Sequence, residues 1–378
     1  MADADSGAVV WLTGLSGAGK TTVGRAVVAA LRALGRPAEL LDGDEIRRLA
    51  GRTGFTRDAR LEHLAHVADL AAGLEARGVV AVTATISPYR EARHAARRRA
   101  RRFIEVHLAV PLAVCEGRDP KGLYARARAG EIRQFTGIDD PFETPTAPDI
   151  RIDEMVPEEA AAAAIVGAVV RRPAAGTDDW LRASLALVAV TDDRVLAGRE
   201  PVAAMAEAVR GGATMLQVRF KERSARELAA LTRELVATVD VPVIVNDRVD
   251  VALAAGAAGV HLGADDFPAG RVRDVVPPGF VIGGSVGSFV EVPSGADADY
   301  WGIGPLHGTG TKGDAGEPLG LEGFRRLRDL AGGRPCVAIG AVRPADGPGV
   351  RAAGGAGVAV VSGIFGAADV AAAAGAYR

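Results

Sequence analysis

The sequence has little cysteine, little net charge and no long apolar run. Two cysteines in 378 residues, Cys115 and Cys336, exclude a disulfide framework and favour a cytoplasmic location. A net charge of −2 gives no electrostatic basis for binding bulk nucleic acid. No apolar run reaches the roughly 20 residues that a membrane span needs, so we expect no membrane partner. The opening residues, MADADSG, lack the basic segment of a signal peptide, and we expect none.

The apolar fraction of 48% and the length of 378 residues suit two domains that each bury a core. In the N-terminal part, strand-like runs alternate with helical segments. These runs are residues 8–13, 40–41, 79–86 and 103–110. Such alternation predicts an α/β fold with a parallel sheet that carries helices on both faces.

A proline- and glycine-containing stretch, Pro173 to Asp179, lies between two apolar regions. We therefore predict a linker at residues 173–183, with one domain at residues 1–172 and another at residues 184–378. Eight strand-like runs follow the linker, mostly separated by helix-length stretches. They are residues 185–190, 215–218, 241–245, 259–261, 280–284, 300–304, 336–339 and 357–361. This number and spacing predict a compact (β/α)8 barrel.

A glycine-rich motif joins the first strand to the first helix. It reads Gly-Leu-Ser-Gly-Ala-Gly-Lys-Thr from Gly14 to Thr21 and fits the phosphate-binding pattern G-x-x-x-x-G-K-[ST]. Its glycines let backbone N–H groups surround phosphate oxygens, and the helix N-terminus adds positive charge. Lys20 is expected to reach the β- and γ-phosphates and Thr21 to contact Mg²⁺. The predicted ATP-binding residues are Gly14, Leu15, Ser16, Gly17, Ala18, Gly19, Lys20, Thr21 and Thr22.

Two carboxylates, Asp42 and Asp44, follow the second predicted strand. Beside a phosphate-binding loop, carboxylates at a strand end can hold Mg²⁺ or accept a proton from an attacking hydroxyl. This pattern predicts an ATP-dependent kinase in the N-terminal domain.

Polar residues also follow most of the predicted barrel strands, at the end where barrel enzymes place their chemistry. The candidates for binding a diphosphate substrate are Gln217, Arg219, Lys221, Asn246, His261, Ser285, Thr309, Thr311 and Lys312. Asp247 and Asp266, from adjacent loops, could share one Mg²⁺. Gly340, Ser362 and Gly363 follow the last two strands and are predicted to bind a phosphate.

The N-terminal domain resembles the adenylylsulfate kinase family over residues 7–172. The segments that carry the resemblance are residues 14–22, 42–47, 86–90, 115–124, 129–132 and 135–143. This family uses ATP to phosphorylate the ribose 3′-hydroxyl of adenylylsulfate. The resemblance implies that Asp44 is the general base and a Mg²⁺ contact, and that Lys121 and Lys20 act on the transferred phosphoryl group. It implies acceptor-binding roles for Arg47, Phe55, Arg60, Ile86, Ser87 and Phe135.

The C-terminal domain resembles the thiamine-phosphate synthase family over residues 184–375. The matching segments are residues 191–192, 217–221, 246–248, 261–266, 304–305, 309–312, 338–340 and 357–362. In that family Mg²⁺ helps diphosphate to leave hydroxymethylpyrimidine diphosphate, and the nitrogen of thiazole phosphate captures the resulting cation. The implied product is thiamine phosphate.

Both domains depart from their family patterns on the acceptor side. His63 stands where the kinases usually carry asparagine, Ala59 where they carry aspartate, and Glu45 follows Asp44 in place of asparagine. In the barrel, Ala341 replaces the second glycine of a pair and Gly363 replaces an alanine. An added Cβ matters where a phosphate approaches the backbone.

Three functional hypotheses follow. The first is a bifunctional enzyme with both family activities, which would use ATP and Mg²⁺. In the second, the kinase phosphorylates a small alcohol that the barrel then couples to a diphosphate-derived carbocation. In the third, one domain is a non-catalytic nucleotide-binding or assembly module. All three involve small-molecule partners, and the kinase resemblance implies a homodimer.

Overall fold

A computed structural model describes residues 7–51, 54, 56–170, 177–196, 198–308 and 316–378. The chain divides into two compact units, with the boundary after Val170. In these described ranges, no helix has the length and apolar character that crossing a membrane requires.

The N-terminal unit is built on a parallel sheet. Within its described residues the sheet has five strands in the order β2-β3-β1-β4-β5. The strands are β1 (Ala8–Thr13), β2 (Ala38–Asp42), β3 (Val80–Ala84), β4 (Phe103–Leu108) and β5 (Ile150–Ile152). All four pairings between neighbours are parallel, as the alternation of strands and helices predicted.

Helices cover both faces of this sheet. They are α1 (Lys20–Ala33), α2 (Gly43–Leu49), α3 (Arg57–Glu75), α4 (Arg90–Arg99), α5 (Leu112–Arg118), α6 (Leu123–Arg128) and α7 (Glu158–Val170). Val9 and Trp11 of β1 point to one face, where they pack with residues of α3 and α4. Leu12 points to the opposite face, toward α1, because successive strand residues alternate between faces. Both faces of β1 are therefore buried.

The C-terminal unit contains a closed parallel barrel. Its eight strands, all in described residues, are β6 (Leu187–Val190), β7 (Met215–Val218), β8 (Val243–Asn246), β9 (Gly259–Leu262), β10 (Val281–Val286), β11 (Tyr300–Ile303), β12 (Cys336–Ala338) and β13 (Gly357–Val360). Pairing of β13 with β6 closes the barrel. The predicted (β/α)8 fold is confirmed.

Helices and short 3₁₀ turns connect the barrel strands. The helices are α8 (Thr177–Ser184), α9 (Pro201–Gly211), α10 (Ala225–Thr238), α11 (Val249–Ala255), α12 (Ala269–Arg273), α13 (Gly320–Asp329), α14 (Gly347–Ala352), α15 (Ser362–Phe365) and α16 (Val370–Gly375). The 3₁₀ turns are Phe289–Glu291 and Pro344–Asp346. This arrangement places the loops after the strands together at the carboxyl end of the barrel.

Helix α8 occupies much of the segment that we predicted as linker. Its Leu181 is buried and packs with Leu185 against apolar side chains of the barrel interior, among them Val188 and Met215. Burial of an apolar residue at this position stabilises the helix and makes it part of the barrel unit. Residues 173–176 of the predicted linker lie outside the described residues.

Candidate functional sites

The glycine-rich loop lies between β1 and α1, as the motif predicted. Gly14 has φ of +152°, and a Cβ there would approach the carbonyl oxygen of Leu108 to 2.7 Å, so only glycine fits. The amide of Ala18 donates to the carbonyl of Leu15 at 3.2 Å and turns the chain toward α1. The loop therefore ends at the N-terminus of a 14-residue helix, where backbone N–H groups are unpaired within the helix.

Lys20 folds back over this loop. Its Nζ donates to the carbonyl oxygens of Gly14 at 2.9 Å and Leu15 at 2.7 Å. Burial lowers the pKa of Lys20 to about 8, and the nearby Asp44 carboxylate opposes that change. The direct hydrogen-bond partners of this ammonium are neutral carbonyl oxygens, so an anion at the loop would interact more strongly with it than they do.

Two carboxylates lie close to Lys20 and have different partners. Asp42 accepts from the hydroxyl of Thr21 at 2.8 Å, and its other oxygen accepts from the amide of Asp44 at the start of α2. The Asp44 carboxylate instead forms an exposed ion pair of 2.5 Å with Lys121. We predicted Thr21 and Asp44 as metal contacts, but in the structure Thr21 contacts Asp42.

Arg60 is the centre of a polar network on the predicted acceptor side. Its guanidinium donates to Thr136 at 2.7 Å, to Asp140 at 2.6 Å and to the carbonyl oxygen of Gln134. Tyr89 donates to the same Asp140 carboxylate at 3.0 Å. Asp140 and Tyr89 were not among the predicted site residues, although both lie in the segments that carry the resemblance.

Other predicted acceptor residues have structural contacts of their own. The Ser87 hydroxyl accepts from Trp11 Nε1 at 3.1 Å, and the Ile86 carbonyl accepts from the Thr13 hydroxyl at 2.7 Å. Phe135 packs edge-on against Tyr124, with ring centroids 5.0 Å apart. Arg47 donates to the carbonyl of Gly54 at 2.7 Å. Phe55 lies outside the described residues.

In the C-terminal unit, polar side chains from neighbouring strand ends contact one another. Gln217 of β7 donates to Asn246 of β8 at 2.7 Å. The ring of His261 on β9 bridges the Ser285 hydroxyl, 3.0 Å from Nε2, and the buried Tyr300 hydroxyl, 2.9 Å from Nδ1. These contacts bring together predicted site residues that are far apart in sequence.

The side chains of Asp247 and Asp266 lie close enough for one carboxyl group to change the pKa of the other. Burial and the neighbouring Asp266 carboxylate raise the pKa of Asp247 to about 6, while the cations of Lys221 and Arg219 oppose the change. The amide of Gly263 donates to Asp266 at 2.6 Å. Arg219 is itself held by Asp192 at 2.5 Å. Two adjacent carboxylates that repel each other are a suitable pair of ligands for a divalent cation.

Across the described ranges, no cluster of three or more His, Cys, Asp or Glu side chains is arranged to hold a metal ion. Mg²⁺ needs only one or two carboxylates when phosphate oxygens and water complete its shell, so the pair of Asp247 and Asp266 fits this ion. The pair of Thr21 and Asp42 supplies oxygen donors of the same kind beside the glycine-rich loop. The residues present in both units therefore fit Mg²⁺.

The predicted phosphate-binding glycines follow β12 and β13. Gly340 has φ of +92°, and a Cβ there would lie 2.5 Å from Pro305 Cα. The adjacent Ala341 has φ of +48° and is exposed. A Cβ on Gly363 would lie 2.1 Å from the Tyr377 hydroxyl. Three residues predicted to bind the diphosphate substrate, Thr309, Thr311 and Lys312, lie outside the described residues.

Two family models match this chain, one for each unit. Residues 6–153 match adenylylsulphate kinase, and residues 187–364 match thiamine monophosphate synthase. The adenylyl-sulfate kinase of Synechococcus sp. strain JA-3-3Ab is 50% identical over 145 residues, which cover 38% of this chain and 82% of that protein. The thiamine-phosphate synthase of Azorhizobium caulinodans is 45% identical over 191 residues, which cover 49% of this chain and 90% of that protein.

A solved structure of thiamine phosphate pyrophosphorylase from Pyrococcus furiosus is 36% identical, covers 52% of this chain and 96% of its own, and has a TM-score of 0.46. The family models and the two relatives agree with the resemblances that the motifs carried. The chain is therefore an enzyme that belongs to two families, the adenylylsulphate kinases through its N-terminal unit and the thiamine monophosphate synthases through its C-terminal unit.

Proposed function

We propose that the chain is a bifunctional enzyme. Its N-terminal unit transfers the γ-phosphoryl group of ATP to the 3′-hydroxyl of adenylylsulfate. Its C-terminal unit joins hydroxymethylpyrimidine diphosphate to thiazole phosphate, with release of diphosphate, to give thiamine phosphate. Both reactions are proposed to use Mg²⁺, which would neutralise phosphate charge when bound.

The kinase proposal rests on the convergence of charged groups around Lys20. Asp42, Asp44 and Lys121 all lie close enough to influence its pKa. Phosphate oxygens at the loop would replace the neutral carbonyl contacts of Lys20 with charge-assisted hydrogen bonds. The Asp44 carboxylate would accept the proton of the acceptor hydroxyl, whose oxygen then attacks the γ-phosphorus as ADP leaves.

Lys121 has a second role in this proposal. Its ion pair with Asp44 is exposed on both sides, so exchanging that partner for a phosphate costs little. Lys121 can then stabilise the charge that develops on the transferred phosphoryl group. The loss of the ion pair also frees Asp44 to act as the base.

The synthase proposal rests on the pair of Asp247 and Asp266 at the carboxyl end of the barrel. Arg219 and Lys221 lie near this pair and would face the oxygens of the departing diphosphate. Rupture of the bond between the pyrimidine methylene and oxygen leaves a cation, and the thiazole nitrogen donates the electron pair that forms the new carbon–nitrogen bond. Gln217, Asn246 and the His261–Ser285 pair offer polar groups to orient the pyrimidine.

Product analysis of the purified full chain tests both activities. ATP with adenylylsulfate should give ADP and the 3′-phosphorylated product, and the pyrimidine and thiazole substrates should give thiamine phosphate and diphosphate. Slow turnover of adenylylsulfate beside rapid phosphorylation of a small alcohol would favour the hypothesis in which the kinase product feeds the barrel. That hypothesis is motivated by His63, Ala59 and Ala341 on the acceptor sides.

Replacement of Asp44 by alanine separates an active kinase from a non-catalytic module. Because Asp44 is the proposed general base, Asp44→Ala should reduce the rate of phosphoryl transfer at least about 100-fold. Unchanged turnover in Asp44→Ala would contradict the proposed role and revive the module hypothesis.

The proposal also includes a homodimer located in the cytoplasm. Both cysteines are buried thiols, which suits a reducing compartment. Sedimentation equilibrium should give twice the chain mass of 38.8 kDa.

A further inference from the structure

Tyr377, next to last in the chain, reaches the loop that follows β12. It stands just beyond α16, and its ring is 6% exposed. Its hydroxyl donates a buried hydrogen bond of 3.0 Å to the carbonyl oxygen of Val342. The two residues are 35 positions apart, so this bond joins the end of the chain to a loop at the barrel's carboxyl end.

The same hydroxyl fills the space beside Gly363. A Cβ built on Gly363 would lie 2.1 Å from the Tyr377 oxygen and 3.2 Å from its Cζ atom. No such contact is possible, so a side chain at position 363 and the tyrosine hydroxyl exclude each other. The alanine that the resembled family usually carries here could not coexist with Tyr377 in this position.

Tyr377 therefore touches both segments that carry the predicted phosphate-binding residues Gly340, Ser362 and Gly363. One segment is Gly340 to Val342 after β12, and the other is Ser362 to Gly363 after β13. The first segment is anchored on its other side, where the amide of His307 donates to the Gly340 carbonyl at 3.1 Å. Tyr377 thus adds a side-chain link between the two segments, beyond the pairing of β12 with β13.

Removal of this link has a defined consequence. The Val342 carbonyl is buried, and without the tyrosine hydroxyl it loses this hydrogen-bond donor. A buried carbonyl without a partner moves toward water or another donor, and the backbone on either side of it moves too. Ala341, which is already in a left-handed conformation, is the neighbour that would shift.

Burial and the nearby Asp346 carboxylate raise the pKa of Tyr377, so its hydroxyl keeps its proton and remains a donor at neutral pH. The Asp346 carboxylate near Tyr377 thus favours the protonated hydroxyl, which can donate the hydrogen bond to Val342.

We propose that Tyr377 is a positioning residue that holds the two backbone segments at the separation needed to bind the phosphate of the thiazole substrate. This inference rests on the proposed synthase function and adds to it a residue outside the predicted site. It also explains why glycine stands at position 363.

Steady-state kinetics of the full chain test the proposal, with each substrate varied in turn. Tyr377→Phe should raise the KM for thiazole phosphate about five- to tenfold, which is the effect of one lost hydrogen bond of ordinary strength. The kcat and the KM for the pyrimidine diphosphate should stay within about twofold, because the Tyr377 hydroxyl bonds the loop after β12, whereas Asp247 and Asp266 follow β8 and β9. A purely structural role would lower the amount of active enzyme and leave both KM values unchanged.

A double substitution tests the exclusion between the two positions. Gly363→Ala should raise the KM for thiazole phosphate more than Tyr377→Phe does, because the new Cβ displaces the hydroxyl and the segment with it. In Gly363→Ala with Tyr377→Phe, the nearest ring atom lies at 3.2 Å and Val360 Cγ1 at 3.0 Å, contacts that small shifts relieve. The double variant should therefore return to the KM of Tyr377→Phe alone.

Gly375→Ala in α16 is the matched control, since the closest atom to its new Cβ would be 3.6 Å away. It should leave all constants unchanged. If Gly363→Ala does not fold, recovery of folded protein in the double variant still shows the exclusion.

Three results would overturn the proposal in distinguishable ways. A wild-type chain that makes no thiamine phosphate removes the proposed function and the inference with it. An active wild type with an unaltered KM for thiazole phosphate in Tyr377→Phe removes only the positioning role. Independent, multiplying effects of the two substitutions would show that the two positions do not exclude each other.

Discussion

Two neighbouring residues after β12 differ in whether the structure has room for a Cβ atom. Gly340 packs against Pro305 and has no room for a side chain, whereas Ala341 is exposed and carries its Cβ at φ of +48°. The left-handed region costs an ordinary residue roughly 1–2 kcal/mol. A Cβ atom at position 340 would therefore clash with Pro305, whereas position 341 has room for its Cβ but has a strained backbone conformation.

Ala341→Gly should stabilise the C-terminal unit. Relief of the strain is partly offset by the greater freedom of glycine in the unfolded chain, so we expect a net gain of about 0.5–1 kcal/mol. Chemical denaturation followed by circular dichroism measures it. Gly340→Ala is the paired control and should destabilise the unit by about 2–3 kcal/mol. A loss of stability in Ala341→Gly would show that the conformation at this position is not strained.

Asp247→Asn should stabilise the metal-free C-terminal unit and remove the part of the protein's stabilisation by Mg²⁺ that comes from the barrel site. Replacing one of two repelling carboxylates should raise the free energy of unfolding by about 1 kcal/mol at neutral pH, a figure reduced for solvent screening because the group is only partly buried. Thermal unfolding with and without MgCl₂ measures both effects. Asp250→Asn is the control, because Asp250 is exposed and pairs with Arg248. A variant that is still stabilised by Mg²⁺ as strongly as the wild type would contradict the assigned ligand.

At the scale of the elements, long periodic segments were predictable and short ones were not. The motif before α1 and the eight barrel strands could be read from the sequence because each has a strong local pattern. Strand β5 has only three residues and lies at the edge of its sheet, so it left no periodicity to detect. Helix α8 was missed because its few apolar residues acquire a partner only when the barrel closes.

In the candidate sites too, some contacts between residues could be predicted from the sequence and others could not. Lys20 and Thr21 belong to one contiguous motif, and Asp247 and Asp266 follow neighbouring strands, so sequence position predicted their proximity. The contact of Arg60 with Asp140 spans 80 residues, and that of Tyr377 with Val342 joins elements with no shared pattern. Such contacts depend on how the elements pack, which local patterns do not encode.

The pairing of β4 with β5 predicts an acid-sensitive N-terminal unit. The register places His107 opposite Arg151. Burial, followed by the charges of Arg151 and Arg93, lowers the pKa of His107 to about 4 from its ordinary 6.5. The stability that neutral His107 contributes is complete above pH 6.5 and is lost as the pH falls toward 4, because the unfolded chain binds the proton first.

His107→Phe should weaken this pH dependence while keeping the ring stacked on Phe142. Between pH 6.5 and 4 the variant should lose less stability than the wild type, by up to about 3 kcal/mol. Denaturation midpoints at pH 7, 5.5 and 4 measure the difference. The exposed His94 on α4 provides the control, His94→Gln, which should follow the wild type. Parallel curves for wild type and His107→Phe would rule out His107 as the source.

For the whole molecule, the two sites draw on separate sets of elements. The kinase residues lie between β1 and β5 and the synthase residues between β6 and Tyr377, and each unit has its own apolar core. Coupling between sites requires an element with two arrangements that both ligands bias. Lys20 and Asp44 contact residues of the N-terminal unit, and Asp247 and Asp266 interact with residues of the C-terminal unit.

We therefore expect the two activities to fail independently in the full chain. Lys20→Ala should reduce phosphorylation of adenylylsulfate at least about 100-fold, because the loop loses the cation that faces the transferred phosphoryl group. Thiamine phosphate formation by the same protein should stay within about twofold of the wild type. Asp247→Asn should give the reverse pattern, and assays of both reactions on both purified variants complete the comparison.

If Lys20→Ala also slowed the synthase in the absence of ATP, the two units would be linked through the protein itself. If synthase activity instead required ATP and fell only with kinase turnover, the two units would act in sequence on a shared substrate.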